Sequence, residues 1–453
     1  MAVFNSINPF DQQLIGTYEL MGEQQLNKAL ELSTMAFKDW KRRTFGERAS
    51  VLINAAAILR NKKSELATLI VKEMGKVLPE AIGEVEKCAW VCEYYAAHAE
   101  GFLADELLEA GYVRSFVSHE PIGAVLAIMP WNFPFWQVFR YAAPTLMAGN
   151  VTLLKHAPNV CGCSLAIEGI FREAGAPEGV FQSLIIDTPE VERIITADIV
   201  QAVTLTGSER AGSSVAALAG KHIKTSVLEL GGSDALIVLP DANMQKAAAT
   251  ALQSRLLNAG QSCIGSKRFI VLKDALNDFI HELESGINAY KYGDPFDPTV
   301  KVGPMARLDL AQSLEKQLQG SVAKGAGLVH GGQVSGCQFS PSLLLNVQKG
   351  MPAFDEETFG PLAAVIVAQD EAEAIALAND SRYGLGGSIW TGDLEKGVAL
   401  ARQIETGAVF INSLVKSDPR LPFGGIKKSG YGRELSRQGI LEFVNQKTIA
   451  VEA

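Results

Sequence analysis

Cys263 sits in the run LNAGQSCIGS, Leu257 to Ser266, just after a glycine turn and a short polar approach. A thiol in that setting is a candidate nucleophile. Glu229 in LELGGSD and Asn132 in MPWNFPFW add a carboxylate and an amide donor. These are the parts needed to attack a carbonyl, hold the resulting oxyanion and activate a water. A free thiol titrates near about 8.5, so Cys263 needs a local field or a base to become a good nucleophile.

A second group of residues bears on a nucleotide. Thr206-Gly207-Ser208-Glu209-Arg210-Ala211-Gly212 follows a β-type run and opens a helix. Glycines there let backbone N–H groups approach a pyrophosphate at a helix N-terminus. The spacing is G-x4-G rather than G-x-G-x-x-G, and a plain strand-to-helix turn has the same composition. Lys155, at the end of NVTLLK, is placed to donate to ribose hydroxyls, although a lysine at a strand end is most often simply solvated.

Alternating strands and helices must position these groups. Leu26, Ala29, Leu30, Ala36, Phe37 and Trp40 fall largely on one helical face, and residues 48 to 100 continue in helical style. Tyr112 to His119 turns β-rich and predicts a short exposed hairpin. From Ile122 onward, apolar runs (GAVLAIMP, NVTLLKH, VFQSLII, AVTLTG, TSVLEL, RFIVL) alternate with helical segments. That pattern predicts parallel sheets with crossover helices, a second α/β unit starting after Gly232, and a closing strand over Phe443 to Val451.

With 453 residues, 47% hydrophobic and 20% charged, the chain can bury a sizeable core without disulfides or metals. A net charge of -9 without a dense Lys/Arg run excludes nucleic acid as an expected partner. Six cysteines (88, 92, 161, 163, 263 and 337) form no disulfide framework and point to a reducing compartment. Cys161 and Cys163 lack a second pair or a nearby His, so no metal site is expected. The N-terminus, MAVFNSINPFDQQ, carries no visible export or transit signal, and a cytoplasmic location is the expectation. Ile122 to Phe139 is about long enough to cross a membrane but contains Pro130, Asn132, Pro134 and Gln137; a buried strand running into a helix fits better.

Eight motifs together resemble the NAD(P)-dependent aldehyde dehydrogenase superfamily over essentially the full length. They are PWNFP (130–134), LLKHAP (153–158), TGS (206–208), ELGGSD (229–234), GQSC (260–263), EETFGP (356–361), NDSRYGLGGSIWT (379–391) and PFGGIKKSGYGRE (422–434). Within the superfamily the chain is most similar to the bacterial succinate-semialdehyde dehydrogenases. The resemblance implies an α/β, aldehyde dehydrogenase-like fold with two Rossmann-like parallel-sheet domains and a β oligomerisation hairpin. The division expected is a cofactor domain over 1–102 and 122–232, a catalytic domain over 233–437, and an oligomerisation segment over 103–121 and 438–453. A homodimer or tetramer is implied, and the edge of Glu442 to Val451 is suited to strand pairing.

The same resemblance implies roles. Cys263 attacks the aldehyde, Asn132 with the Cys263 N–H holds the oxyanion, and Glu229 activates the water that releases the acid. Lys155 is assigned to the adenosine ribose, Thr206, Gly207 and Ser208 to the phosphates, and Glu357 with Phe359 to the nicotinamide end. Trp131 and Gly231, in the same motifs, join the cofactor set. Pro158 stands where many NAD-preferring relatives carry a glutamate, and neighbouring His156 would favour a 2′-phosphate; the expectation is NAD or NADP, with NAD preferred.

For the substrate, the resemblance implies that Arg140 anchors a distal carboxylate with Ser417 assisting, and Trp136 stands at i, i+4 spacing from Arg140 on one helical face. Leu257 replaces a second arginine of some relatives, leaving Arg420 or Arg255 to substitute. The activity expected is oxidation of succinate semialdehyde to succinate. Glutarate semialdehyde or uncharged aliphatic and aromatic aldehydes are the rivals. An acylating enzyme would have no use for Glu229, and a non-catalytic relative should have lost Cys263 or Glu229. Ile264 and Gly265 leave no neighbouring cysteine for a disulfide switch, so peroxide should inactivate Cys263 directly.

Overall fold

The alternation of apolar runs and helices resolves into two mainly parallel sheets, a three-stranded antiparallel one and three two-stranded ribbons. The computed structural model describes residues 2–452. In the first sheet the order is Gly430–Tyr431, Thr225–Glu229, Val200–Thr206, Ala124–Met129, Val151–His156, Phe181–Ser183. Its central strands are nearly continuous buried apolar runs, as a parallel sheet covered on both faces requires. The chain starts at Ala124–Met129, steps outward to Val151–His156 and Phe181–Ser183, then returns to the other side for Val200–Thr206. Strand order therefore reverses between Ala124–Met129 and Val200–Thr206. The segments 130–132 and 207–208 leave the carboxyl ends of the strands at that reversal, where open α/β sheets form their binding crevice.

The second sheet runs Gly327–His330, Ser342–Leu345, Leu362–Ala368, Arg268–Leu272, Ala235–Val238, Gly386–Trp390, Ala408–Ile411, with only its first strand antiparallel. One segment departs from the expected division at 437. Gly430–Tyr431 belongs to the first sheet, pairing antiparallel with Leu228–Glu229. Gly430 lies at φ +111, and a side chain there would strike the Leu228 backbone, so glycine is what permits this close approach. Two residues carry no periodic signal, which is why the sequence did not reveal the pairing.

The third sheet joins Glu106–Leu107, Arg114–Pro121 and Val444–Val451. The C-terminal strand is in register with Arg114–Pro121 along its whole length and keeps its other edge open. The exposed hairpin expected over Tyr112 to His119 is instead mostly one half-buried strand, Arg114–Pro121, held between Val444–Val451 and Glu106–Leu107, and only Tyr112 and Val113 lie in the turn before it. An N-terminal hairpin, Val3–Ile7 with Leu14–Glu19, was not anticipated; its strands are short and mostly exposed or half-buried, so they show no clean alternation.

Helix Glu23–Trp40 buries Leu26, Ala29, Ala36 and Trp40 as its spacing predicts, and the Trp40 indole donates to the Leu146 carbonyl at 3.1 Å. The long helix Leu78–Phe102 packs against Trp136–Met147. It turns Ala81, Val85, Cys88 and Ala89 into the core while Glu80, Gly83, Glu84 and Lys87 face the site described below. Ile122 to Phe139 is a buried strand running into a helix, and among the described residues no helix is long and apolar enough to cross a membrane.

Candidate active site

Three successive residues before the thiol have left-handed backbone: Asn258 (φ 55), Ala259 (φ 51) and Gly260 (φ 71). Such a run is costly for side-chain-bearing residues and persists only when neighbours over-determine it. Here the Asn258 N–H donates to Glu80 Oε2 at 2.8 Å, Asn258 Nδ2 to the Asn132 carbonyl at 2.7 Å, and the Arg255 guanidinium to the Gly260 carbonyl. Arg255 is fully buried in this role and is no substrate cation, contrary to the alternative the sequence left open.

Cys263 stands where two cavities meet, and both are lined by it and by Gln137. Burial pushes its thiol up to about 11, while the cations Lys267 and Arg140 pull it down. Lys267 is completely buried; its ammonium donates to the carbonyls of Ser262 (2.8 Å) and Cys263 (2.6 Å) and lies 3.4 Å from Glu357 Oε1. Sequence reasoning passed over Lys267 because nothing in GSKR marks it off from a surface basic pair.

Asn132 is buried with its amide fixed at both ends: Nδ2 donates to the Gln261 carbonyl at 3.0 Å and Oδ1 accepts from Gln137 Nε2 at 3.1 Å. The nitrogen thereby faces the nucleophile loop with one hydrogen to spare. Glu229 is placed differently. It is buried, lies in the wall of neither cavity, and its two carboxyl oxygens have no hydrogen-bond partner. Burial, and next the Glu434 carboxylate, hold it well above the usual carboxylate range. Glu434, which carried no expected role, forms a buried ion pair with Arg140.

The cavity on one side of Cys263, about 210 Å³, lies at the strand-order reversal and is lined by Trp131, Asn132, Thr206, Gly207, Ser208, Gly231, Glu357 and Phe359. Ser208 caps helix Glu209–Lys221, its hydroxyl accepting from the Ala211 N–H at 3.3 Å. Glu357 is held by the Gly232 N–H at 2.9 Å, and Trp131 meets Phe359 edge to face at 5.9 Å. Gly212, the second glycine of G-x4-G, serves packing: a side chain there would strike Leu230. Lys155 is half-buried at the end of its strand, outside the lining of this cavity. His156 corrects an expectation. It points inward, with Nε2 2.8 Å from the Pro134 carbonyl and burial pushing it down to about 4, so it offers no charge to a phosphate.

The cavity on the other side, about 290 Å³, is lined by Phe133, Trp136, Arg140, Leu257, Ile264 and Phe423 among others, with Glu80, Glu84 and Lys87 entering from the long helix. Trp136 Nε1 donates to Ser417 Oγ at 3.1 Å, which brings these two expected substrate residues together. Arg140 is in the wall, but its guanidinium is ion-paired with Glu434, reaches Thr206 Oγ1 at 3.3 Å and packs over Phe423. Arg420 does not reach the cavity. It grips Asp418 in a two-pronged pair (2.9 and 2.7 Å) with its side chain 66% exposed, because the turn places the acceptor only two residues away. Lys87, missed in the sequence, is a cation in this wall; its spacing from Glu80 and Glu84 on one helical face was the available signal.

Residues 2–449 match the model of the aldehyde dehydrogenase family. A probable succinate-semialdehyde dehydrogenase of Synechocystis sp., named for NADP(+), is 48% identical over 98% of this chain and 98% of its own. A succinate semialdehyde dehydrogenase of Escherichia coli, named for NAD(P)+, is 42% identical over 98% and 97%. The crystal structure of the succinic semialdehyde dehydrogenase from Streptococcus pyogenes in complex with NADP+ superposes with a TM-score of 0.97 at 39% identity, covering 99% of this chain and 100% of that one. Matches of that extent, on the nucleophile loop and double cavity described above, leave one assignment: the chain belongs to the aldehyde dehydrogenase family.

Proposed function

We propose that the protein oxidises succinate semialdehyde to succinate with NADP or NAD, the aldehyde entering the 290 Å³ cavity and the dinucleotide the 210 Å³ one. The observation that carries this reading is the position of Cys263 between the two cavities. The residues fit a dinucleotide: a capped helix N-terminus for the phosphates, the Glu357 carboxylate for ribose hydroxyls, and the Trp131–Phe359 pair beside the nicotinamide end. An NAD preference finds no support among relatives named for NADP(+) or NAD(P)+, and Pro158, exposed and uncharged, leaves room for a 2′-phosphate.

In the chemistry this supports, the Cys263 thiolate attacks the aldehyde carbon and the carbonyl electron pair moves to oxygen. Asn132 Nδ2 and the Cys263 N–H donate to that oxyanion. A dinucleotide held by Thr206, Ser208, Glu357 and the Trp131–Phe359 pair would supply the hydride acceptor that lets the carbonyl re-form as a thioester on Cys263. Glu229, after its side chain turns from its buried resting place, takes a proton from water, and the hydroxide attacks the thioester. Succinate leaves and the thiol is regenerated. Asn132, Glu229 and Cys263 are thus the catalytic set; Trp131, Lys155, Thr206, Gly207, Ser208, Gly231, Glu357 and Phe359 the cofactor set. Trp136, Arg140 and Ser417 shape the aldehyde side. The open edge of Val444–Val451 supports strand pairing between subunits.

Initial rates of NAD(P)H formation test the reading, with succinate semialdehyde against butanal, NADP against NAD, and Cys263→Ala as the control. A strong preference for the semialdehyde and no turnover by the variant are expected. Equal rates for the two aldehydes would discard the semialdehyde assignment, and CoA-dependent product would replace hydrolysis with acyl transfer.

A further inference from the structure

Charge in the aldehyde cavity is unevenly matched. Arg140 is paired with Glu434, and Glu84 with the buried Lys76 while also accepting the N–H groups of Phe135 and Trp136. Glu80 accepts from Asn258, and burial pushes it up to about 7. Two cations are exceptions, Lys416, exposed on the C-terminal loop, and Lys87 on the long helix. Among the described residues Lys87 has no ion-pair partner; its ammonium lies 4.0 Å above the Trp136 ring and donates to Ser417 Oγ at 2.8 Å. Ser417 Oγ therefore accepts twice, from Lys87 and from Trp136 Nε1. With both lone pairs engaged, its O–H proton is free to be donated. A three-donor ammonium and a committed hydroxyl donor stand side by side, in the wall that Cys263 shares.

We propose that Lys87 is a further anchor of the substrate's distal carboxylate, acting beside the Ser417 hydroxyl and Arg140. The assignment rests on the reading of the substrate as an anionic aldehyde. Two acceptor oxygens match two adjacent donors, and a carboxylate would supply the counter-charge that Lys87 lacks. Arg140 faces Glu434 through Nε and Thr206 through Nη2, so its Nη1 keeps donors for a carboxylate oxygen without breaking the pair. The groups facing Lys87 are Glu84 and Cys88 on its own helix, Arg140 on the neighbouring helix, and Asp418 on the C-terminal loop, with Lys416 also in the cavity wall. Burial, and next Arg140, bring Lys87 down to about 8.

The experiment compares kcat and KM for succinate semialdehyde and butanal in wild type, Lys87→Met and Lys87→Arg. In Lys87→Met the ratio of the two kcat/KM values falls about 30-fold, mainly through the semialdehyde KM, and Lys87→Arg recovers part of it. In wild type the same ratio declines as pH rises through about 8, where the ammonium loses its proton, and Lys87→Arg moves that decline to higher pH. A preference that survives Lys87→Met, or an equal loss for both aldehydes, overturns the role of Lys87 and leaves the substrate reading intact. A wild type without preference overturns the substrate reading and this one with it. Should Lys87→Met fail to fold, a wild-type ratio flat across pH 7 to 9 overturns the proposal.

Discussion

Arg140 and Glu434 face each other across an ion pair closed to solvent, each side chain only 3% exposed. Removing one partner strands a charge where water cannot reach it. Arg140→Met is expected to lose about 3–5 kcal/mol of stability in urea unfolding, and adding Glu434→Gln recovers most of it. A change under about 1 kcal/mol would mean that solvent reaches the pair.

Glu434 is also the charged neighbour that most raises Glu229. A general base must be ionised, so hydrolysis of the thioester speeds up as pH rises through the raised Glu229 value. Glu434→Gln shifts that limb to lower pH, because a negative neighbour is gone. Glu229→Gln is expected to keep a rapid first burst of NAD(P)H while steady-state turnover falls about 10²–10⁴-fold. Loss of the burst would assign Glu229 to thiol activation as well.

Burial holds the Cys263 thiol up at about 11. Alkylation of Cys263 by iodoacetamide in the free enzyme should therefore accelerate by about tenfold per pH unit through neutrality without a plateau. Lys267→Met, which removes the cation acting most strongly on the thiol, moves the curve to still higher pH. A plateau below pH 8 would show that another group ionises Cys263.

Pro158 lies exposed three residues beyond Lys155, and on the cofactor placement proposed above a carboxylate there would meet a 2′-phosphate. Pro158→Glu is expected to lower kcat/KM for NADP about tenfold relative to NAD. Parallel changes with both dinucleotides would place the 2′-position elsewhere.

Much of this was legible because apolar runs and glycine turns are local signals. The helix Met244–Leu256 and the strand Arg268–Leu272 fall where periodicity and β-branched residues put them, and Cys263 was marked by its own loop. What escaped depends on convergence in space. Lys87 becomes significant only when helix Leu78–Phe102 lies against Trp136–Met147 with Ser417 between them. Arg420 is adjacent in sequence to the right loop yet finds Asp418 first. Glu229 is buried outside both cavity walls, and His156 is silenced by burial; neither is written in residue type.

The small strand Gly430–Tyr431 has a consequence for synthesis. It closes the sheet that begins at Ala124, and Val444–Val451 likewise completes the pairing of Arg114–Pro121. Neither contact can form until almost the entire chain has left the ribosome. The nascent protein must therefore carry two open sheet edges through most of translation, which makes late chain truncation a route to aggregation rather than to a smaller working enzyme.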